Sequence, residues 1–186
     1  MTIGFAMTGS FCTFAQVFPV MELLAKRYEV IPIVSANTAL LDSRFGTAQD
    51  HWSELTRICG RAPLATIPEV EPIGPKKMLD VLIVAPCTGN TLAKLSHSIA
   101  DTPVTMAVKS HLRNGRPVIL AVSTNDGLAG AAENIGRLMS RKHYYFVPFG
   151  QDDPIGKPTS LVADFGQIPQ TLAFALEGVQ IQPVLV

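Results

Sequence analysis

Four short clusters of hydroxyl, amide and glycine residues are the parts of this sequence best suited to chemistry. Each follows an apolar run, and together they are Thr8-Gly9-Ser10, Ser35-Ala36-Asn37-Thr38, Thr88-Gly89-Asn90-Thr91 and Ser123-Thr124-Asn125-Asp126-Gly127. Short side chains of these types allow backbone N–H groups and helix N-termini to approach a phosphate directly. The same types are also ordinary helix caps and turn residues, so each cluster by itself is open to both interpretations. Their repetition after four separate runs favours a nucleotide-type ligand.

The glycine and acidic residues indicate which nucleotide fits. The G-x-G-x-x-G fingerprint of dinucleotide sites is absent, because Gly9 is followed by Ser10-Phe11-Cys12-Thr13 without a further glycine. Ser35 and Asn37 stand where an acidic residue would hold the ribose of NAD. There is no Walker A lysine, and a chain of 186 residues is short for two mononucleotide halves. Flavin mononucleotide (FMN) therefore fits the sequence better than NAD.

Several single residues are candidates for catalysis or ligand binding, each with a structural alternative. Cys87, at a strand end and a helix N-terminus, is either a thiolate of lowered pKa or a small packed side chain. Lys94 either neutralises a ligand phosphate or lies on a solvated helix face. Lys109 and His111 either meet a dianionic substrate or are ordinary helix residues. The catalytic base stays unassigned, and the scattered cysteines and histidines form no metal-binding pattern.

The composition excludes several classes of protein. Of the 186 residues, 47% are hydrophobic and 16% are charged, and fifteen basic residues balance fifteen acidic ones. A chain without a basic excess is not expected to bind nucleic acid, and its hydrophobicity excludes disorder. The N-terminus lacks the basic region of a signal peptide, and no apolar run reaches the roughly 18 residues that span a bilayer. We therefore expect a cytoplasmic protein without membrane contact, and the zero net charge favours a homo-oligomer.

Apolar runs alternate with helical patterns along the whole chain. The runs predict strands over 2–8, 29–34, 81–85, 117–122 and 143–147. Apolar residues at helical spacing predict helices over 14–28, 48–59, 102–112, 128–142 and 169–176, with another ending near residue 97. This alternation predicts a single α/β domain, residues 1–186, with a doubly wound parallel sheet and three layers, Rossmann or flavodoxin-like. In such a sheet ligands bind at the carboxyl ends of the strands, where the clusters lie.

Several segments resemble one protein superfamily. The run LIVAPCTGNTLAKL over 82–95 is similar to the A-P-x-x-x-N-T-x-x-K motif of homo-oligomeric flavin-containing cysteine decarboxylases and related flavin prenyltransferases. The Gly9-Ser10 opening and the run ADTPVT over 100–105 fit the same superfamily. Within it, the chain resembles the family of dipicolinate synthase B subunits on the stretches over 118–136 and 144–165, the second of which contains FVPFGQDDP. The resemblance covers nearly the whole chain.

The resemblance implies a reaction, cofactors and partners. Dipicolinate synthase oxidises a dihydrodipicolinate-level intermediate to dipicolinate in spore-forming bacteria, and the NADP it uses is bound by a separate A subunit. The B subunit has the flavoprotein fold, and is expected to bind FMN or the small dicarboxylate in a trimer-based homo-oligomer. By motif, Gly9 and Ser10 would face a phosphate with Ser35 and Asn37 beside it, and Thr88–Thr91 would border the flavin ring. The predicted cofactor-binding residues are Gly9, Ser10, Ser35, Asn37, Thr88, Gly89, Asn90, Thr91, Ser123 and Asn125.

The chain also departs from the decarboxylase pattern. Pro72 stands where the decarboxylases carry a catalytic histidine, and their P-x-M-N element is reduced to Ser123-Thr124-Asn125. Oxidative decarboxylation of a peptidyl cysteine is therefore not expected. Two alternatives stay open at this stage, namely a stand-alone FMN-dependent decarboxylase or prenyltransferase-like enzyme and a non-catalytic scaffold subunit.

Overall fold

The computed structural model describes residues 1–186, and a sheet of seven strands forms its centre. The strands are β1 Thr2–Met7, β2 Glu29–Val34, β3 Val81–Cys87, β4 Val118–Thr124, β5 Tyr144–Phe146, β6 Phe149–Gly150 and β7 Leu161–Ala163. Five of them are parallel in the order β2-β1-β3-β4-β5, which confirms the flavodoxin-like prediction. β7 and β6 extend β4 as short antiparallel strands, so the sheet is mixed. The sequence pattern misses these two because runs this short carry no strand periodicity.

Burial on both faces explains why the parallel strands are unbroken apolar runs in the sequence. All seven residues of β3 are buried, and 44 buried residues form one connected core. The chain runs from β1 to the edge strand β2 and then returns to β3 on the other side of β1. The strand order therefore reverses between β1 and β3, and sheets of this kind bind ligands in the crevice beyond that point.

Eight helices cover the sheet in two groups. They are α1 Phe14–Ala25, α2 Ala36–Leu40, α3 Ala48–Cys59, α4 Ile67–Val70, α5 Gly89–Ser96, α6 Pro103–Leu112, α7 Ala132–Met139 and α8 Ile168–Leu176. α1 packs against α3 and α8, whereas α6 packs against α4 and α5, and α5 packs against α7. The helix predicted over 128–142 is shorter in the structure, because hydrogen-bonded turns from Asp126 to Ala131 precede α7. None of the helices is long and apolar enough to cross a membrane.

The start of α3 is held by a reciprocal pair of hydrogen bonds. The Asp50 N–H donates to Thr47 Oγ1 at 3.0 Å, and the Thr47 N–H donates to the Asp50 carboxylate at 3.0 Å. We expect Thr47→Ala to lower the free energy of unfolding by about 1 kcal/mol, because the Asp50 N–H in the first turn of α3 loses its hydrogen-bond acceptor. Urea denaturation measures the change. Ser53→Ala, on the exposed side of the same helix, is the control, and an equal loss there would contradict the assignment.

Candidate functional site

Hydrogen bonds join the polar clusters at the carboxyl edge of the sheet. Thr8 Oγ1, just after β1, donates to the carbonyl of Pro86 at 2.7 Å and accepts from the Thr88 N–H at 3.1 Å. The hydroxyls of Ser10 and Ser123 lie 2.7 Å apart, which joins the loop after β1 to the end of β4. The Ser35 N–H, just after β2, donates to the carbonyl of Met7 at 3.0 Å. The clusters that are 25 or more residues apart in the sequence therefore form one site.

A small hollow of about 210 Å³ lies between the ends of β1, β2 and β3. It is lined by Thr8, Gly9, Ser35, Ala36, Asn37, Thr88, Asn90, Thr91, Lys94, Thr102 and Val104. The backbone N–H groups of Gly9, Ala36, Asn37 and Asn90 have no hydrogen-bond partner within the protein. Unpaired N–H groups beside short polar side chains form a site that suits a phosphate.

One cation contributes to the small hollow. Lys94 Nζ lies 2.7 Å from the Asp101 carboxylate, and this ammonium group holds the pKa of Asp101 below its ordinary value. The Lys94 side chain is 23% exposed, so Lys94 is not a freely solvated residue on a helix face. Because Asp101 already balances its charge, an anion in this hollow would be bound mainly by neutral donors.

A large hollow of about 680 Å³ adjoins the small one, since Gly9 and Thr88 line both. Its remaining lining is Ser10, Phe11, Cys12, Thr13, Gln16, Ser43, Arg44, Phe45, Ser123, Thr124, Asn125, Asp152, Lys157 and Val162. Most of these residues carry hydroxyl, amide or charged groups, and Phe11, Phe45, Cys12 and Val162 supply the apolar part of the wall. The two phenylalanine rings offer contact surface for a flat ligand, and the polar groups offer partners for its substituents.

Two glycines lie at close approaches at this edge. A Cβ at Gly89 would lie 2.6 Å from Thr124 Oγ1 and 2.8 Å from an Asp126 carboxylate oxygen. Gly89 thus lets the loop after β4 meet the start of α5, although it lines neither hollow. A Cβ at Gly9 would lie 3.3 Å from Cβ of Asn37, so it would narrow the space between the first two clusters.

The cysteines differ in their surroundings. Cys87 is the last residue of β3 and is fully buried, and that burial raises the pKa of its thiol. It is therefore a packed side chain and not a thiolate, as the structural alternative has it. Cys12 is exposed and lines the large hollow, with Sγ 3.8 Å from Ser10 Oγ. Burial likewise raises the pKa of Cys59, to about 12.

No histidine lines either hollow. His51 is buried among the rings of Phe11, Phe14 and Phe18, with ring centroids 4.8–6.2 Å away. His111 is fully buried and its Nε2 donates to the carbonyl of Pro117 at 3.1 Å, so it is not a substrate contact. This chain therefore brings no imidazole acid or base of its own to the site.

The structure brings most of the predicted cofactor-binding residues together. Small-hollow residues are Gly9, Ser35, Asn37, Thr88, Asn90 and Thr91, and large-hollow residues include Ser10, Ser123 and Asn125. Asn90 and Thr91 line only the small hollow, whereas Ser10 and Ser123 line only the large one. Sequence reasoning misses Arg44, Phe45 and Lys157, which come from loops without a local motif. The cofactor-binding role of the ten residues named from the sequence stays a prediction.

The sequence and the fold match those of known proteins. A model of the flavoprotein family matches residues 1–165. The chain belongs to the flavoprotein family. The B subunit of dipicolinate synthase from Bacillus subtilis is a relative with 45% identity over 185 residues, which are 99% of this chain and 92% of that protein. The resemblance to this branch of the flavoproteins, deduced from the motifs, is thereby confirmed.

Solved structures agree with the flavoprotein assignment. The crystal structure of the dipicolinate synthase B subunit from Bacillus halodurans matches with a TM-score of 0.91 at 42% identity, over 100% of this chain and 95% of that chain. A more distant structure, the FMN-dependent cysteine decarboxylase SpaF, matches with a TM-score of 0.71 at 21% identity over 95% of both chains. The second comparison shows that the two flavoproteins share their fold.

Proposed function

We propose that this flavoprotein is the B subunit of a dipicolinate synthase. It binds FMN across the two hollows and acts with a separate NADP-binding A subunit to oxidise a dihydrodipicolinate-level intermediate to dipicolinate during sporulation. The observation that carries the proposal is the pair of adjoining hollows at the β1/β3 reversal, one of them lined by unpaired N–H groups. The 45% identity to a B subunit supports the choice of reaction.

The two hollows suit the two ends of FMN. The phosphate fits the small hollow, where Asn37 and Asn90 offer amides and free N–H groups. The ring system fits the large hollow beside Phe11, Ser10 and Ser123. In this arrangement Asn90 and Thr91 border the phosphate end and not the ring. When bound, a flavin supplies a two-electron acceptor.

The cations of the large hollow suit the dicarboxylate. Arg44 makes no ion pair within the protein, and its guanidinium carbon lies 4.8 Å from the centre of the Phe45 ring. Lys157 lies 3.1 Å from Asp152, which fixes its position at the rim. Arginine binds a carboxylate through two parallel N–H donors, so Arg44 is the residue we assign to holding the substrate against the ring.

Exposed apolar side chains near the site support a trimer-based homo-oligomer. Leu40 is 75% exposed and Phe45 is 46% exposed, on the segment that leads from the small hollow to the large one. Ile155, in the loop that carries Lys157, is 96% exposed. Subunit contacts there would bury this surface and close the flavin site. Sedimentation equilibrium of the full chain is expected to give three subunits or a multiple of three, and a monomer would contradict this part of the proposal.

Two measurements test the function. The purified chain is expected to be yellow, with a flavin band near roughly 450 nm, or to gain one on addition of FMN. Co-expressed with an A subunit, it is expected to raise the rate of NADP reduction above that of the A subunit alone. Equal rates would contradict a role in synthesis, and a colourless chain that binds no FMN would contradict the flavin assignment. Activity without any partner would favour the stand-alone enzyme.

A further inference from the structure

A third cavity lies at the other edge of the sheet. Its volume is about 420 Å³, and it is bounded by the end of α5, one side of α6 and the turn that precedes β5. None of its lining residues belongs to the small or the large hollow. Tyr144, the first residue of β5, forms part of its wall. The cavity therefore lies at the amino end of a parallel strand, whereas the candidate flavin site lies at the carboxyl ends.

The charge around this cavity is of one sign. Lys109 on α6 and Arg113 directly after that helix line it together with Arg141 and Lys142 from the turn after α7, and no aspartate or glutamate does. These are four of the fifteen basic residues in a chain of zero net charge. Lys109, Arg113 and Lys142 make no ion pair. Arg141 is fixed by donating to the carbonyl of Leu95 at 3.1 Å, which leaves its positive charge without a neutralising carboxylate.

The wall between these cations is apolar and contains one unpaired donor. Leu95 and Val108 are buried and Leu112 is half-buried. Tyr144 is 9% exposed, and its hydroxyl makes no hydrogen bond within the protein. Burial raises the pKa of Tyr144 to about 12, further above neutral pH than that of an ordinary tyrosine. The hydroxyl therefore carries a proton, and because it has no partner within the protein it can donate that proton to a bound acceptor.

We propose that this cavity is a binding site for a small organic anion, a carboxylate carried on a flat apolar ring. The ring would pack against Leu95 and Val108, and the carboxylate would meet Arg113 and Lys109 at the rim. The volume lies in the range of about 300–1,000 Å³ that is usual for small-molecule sites. Planar guanidinium groups match the two oxygens of a carboxylate. This site does not depend on the proposed function, because it shares no residue with the two hollows.

The test uses the full chain with the substitution Arg44→Gln, which removes the carboxylate contact assigned to the large hollow, and with FMN added in excess. This chain is the parent for isothermal titration with benzoate and with pyridine-2,6-dicarboxylate. The double variant Lys109→Gln/Arg113→Gln is expected to bind either probe about tenfold more weakly, because two charge-assisted hydrogen bonds are lost. Lys26→Gln/Arg27→Gln removes the same charge from exposed positions beyond α1 and is the matched control, expected to bind like the parent chain.

Further titrations distinguish a specific binding site from a positively charged surface that binds any anion. Tyr144→Phe keeps the ring and is expected to weaken benzoate binding, while acetate and inorganic phosphate are expected to bind more weakly than benzoate to the parent chain. The inference is overturned if neither probe gives saturable binding, if the control variant loses as much affinity as the double variant, or if phosphate binds as well as benzoate. The melting temperature of each variant establishes that a loss of binding is not a loss of fold.

Discussion

Replacing Asn37 with aspartate is expected to weaken FMN binding about 100-fold, or roughly 3 kcal/mol. The substitution keeps the shape of the side chain but places a carboxylate where the small hollow offers an amide and a free N–H. Two like charges about 4 Å apart repel by about 4 kcal/mol at an effective dielectric of about 20, and solvent at the mouth of the hollow reduces that figure. The Asn37 side chain is exposed and makes no hydrogen bond within the protein, so the fold does not depend on it.

Quenching of FMN fluorescence by the flavin-free chain measures this effect. Gln170→Glu adds the same charge to an exposed position of α8, and we expect it to bind FMN like the parent chain. Thermal unfolding of the flavin-free proteins should give the same transition for all three. If Asn37→Asp binds FMN as tightly as Gln170→Glu, the small hollow does not hold the phosphate.

Lowering the pH from 6.5 to 4 is expected to remove about 3 kcal/mol of folding free energy through His111. Burial lowers the pKa of this imidazole to about 4, although its hydrogen bond to the Pro117 carbonyl opposes the shift. The unfolded chain takes up a proton near pH 6.5, whereas the folded chain excludes it until about pH 4. The stability that His111 contributes is therefore fully present above pH 6.5 and is lost as the pH falls from 6.5 to about 4. Below about pH 4 it changes no further.

Urea denaturation at pH 7, 5 and 4 compares two variants with the parent chain. His111→Gln removes the titrating group, so its free energy of unfolding should fall less between pH 7 and 4 than that of the parent. His143→Gln replaces an exposed histidine and should keep the dependence of the parent. Each comparison is made within one variant across pH, so a packing loss in His111→Gln does not affect it. Parallel curves for all three proteins would show that His111 does not exclude the proton.

Local sequence patterns predict most of the fold for a simple reason. A strand buried on both faces must be apolar throughout, as Val81–Cys87 is, and a helix on its surface must be apolar on one side. Both patterns are read within a dozen residues. The five-residue α2 and the short strands β6 and β7 are too short to show such a pattern. β7 forms by pairing with β4, about forty residues earlier in the chain, and β6 forms by pairing with β7.

The edge at which the site lies also follows from the sequence, because the carboxyl ends of parallel strands must meet at one edge. The clusters at Gly9, Asn37, Asn90 and Ser123 therefore had to lie along one edge once the strands were identified. Their division into two hollows did not follow. It depends on strand order and on loops such as Arg44–Phe45, which carry no motif and reach the site only through tertiary packing.

The sequence by itself determined an α/β fold, a polar site at the carboxyl edge of the sheet and membership of the flavoproteins, because each rests on local periodicity or on short motifs. The tertiary structure alone decided which N–H groups stay unpaired and which histidines are buried. It also decided that Lys109 and Arg113 share a cavity with Arg141 and Lys142. In the sequence these cations are about thirty residues apart and balanced by acids elsewhere. Folding brings these cations together in space and leaves the acidic residues elsewhere. The resulting positive potential attracts an anionic ligand.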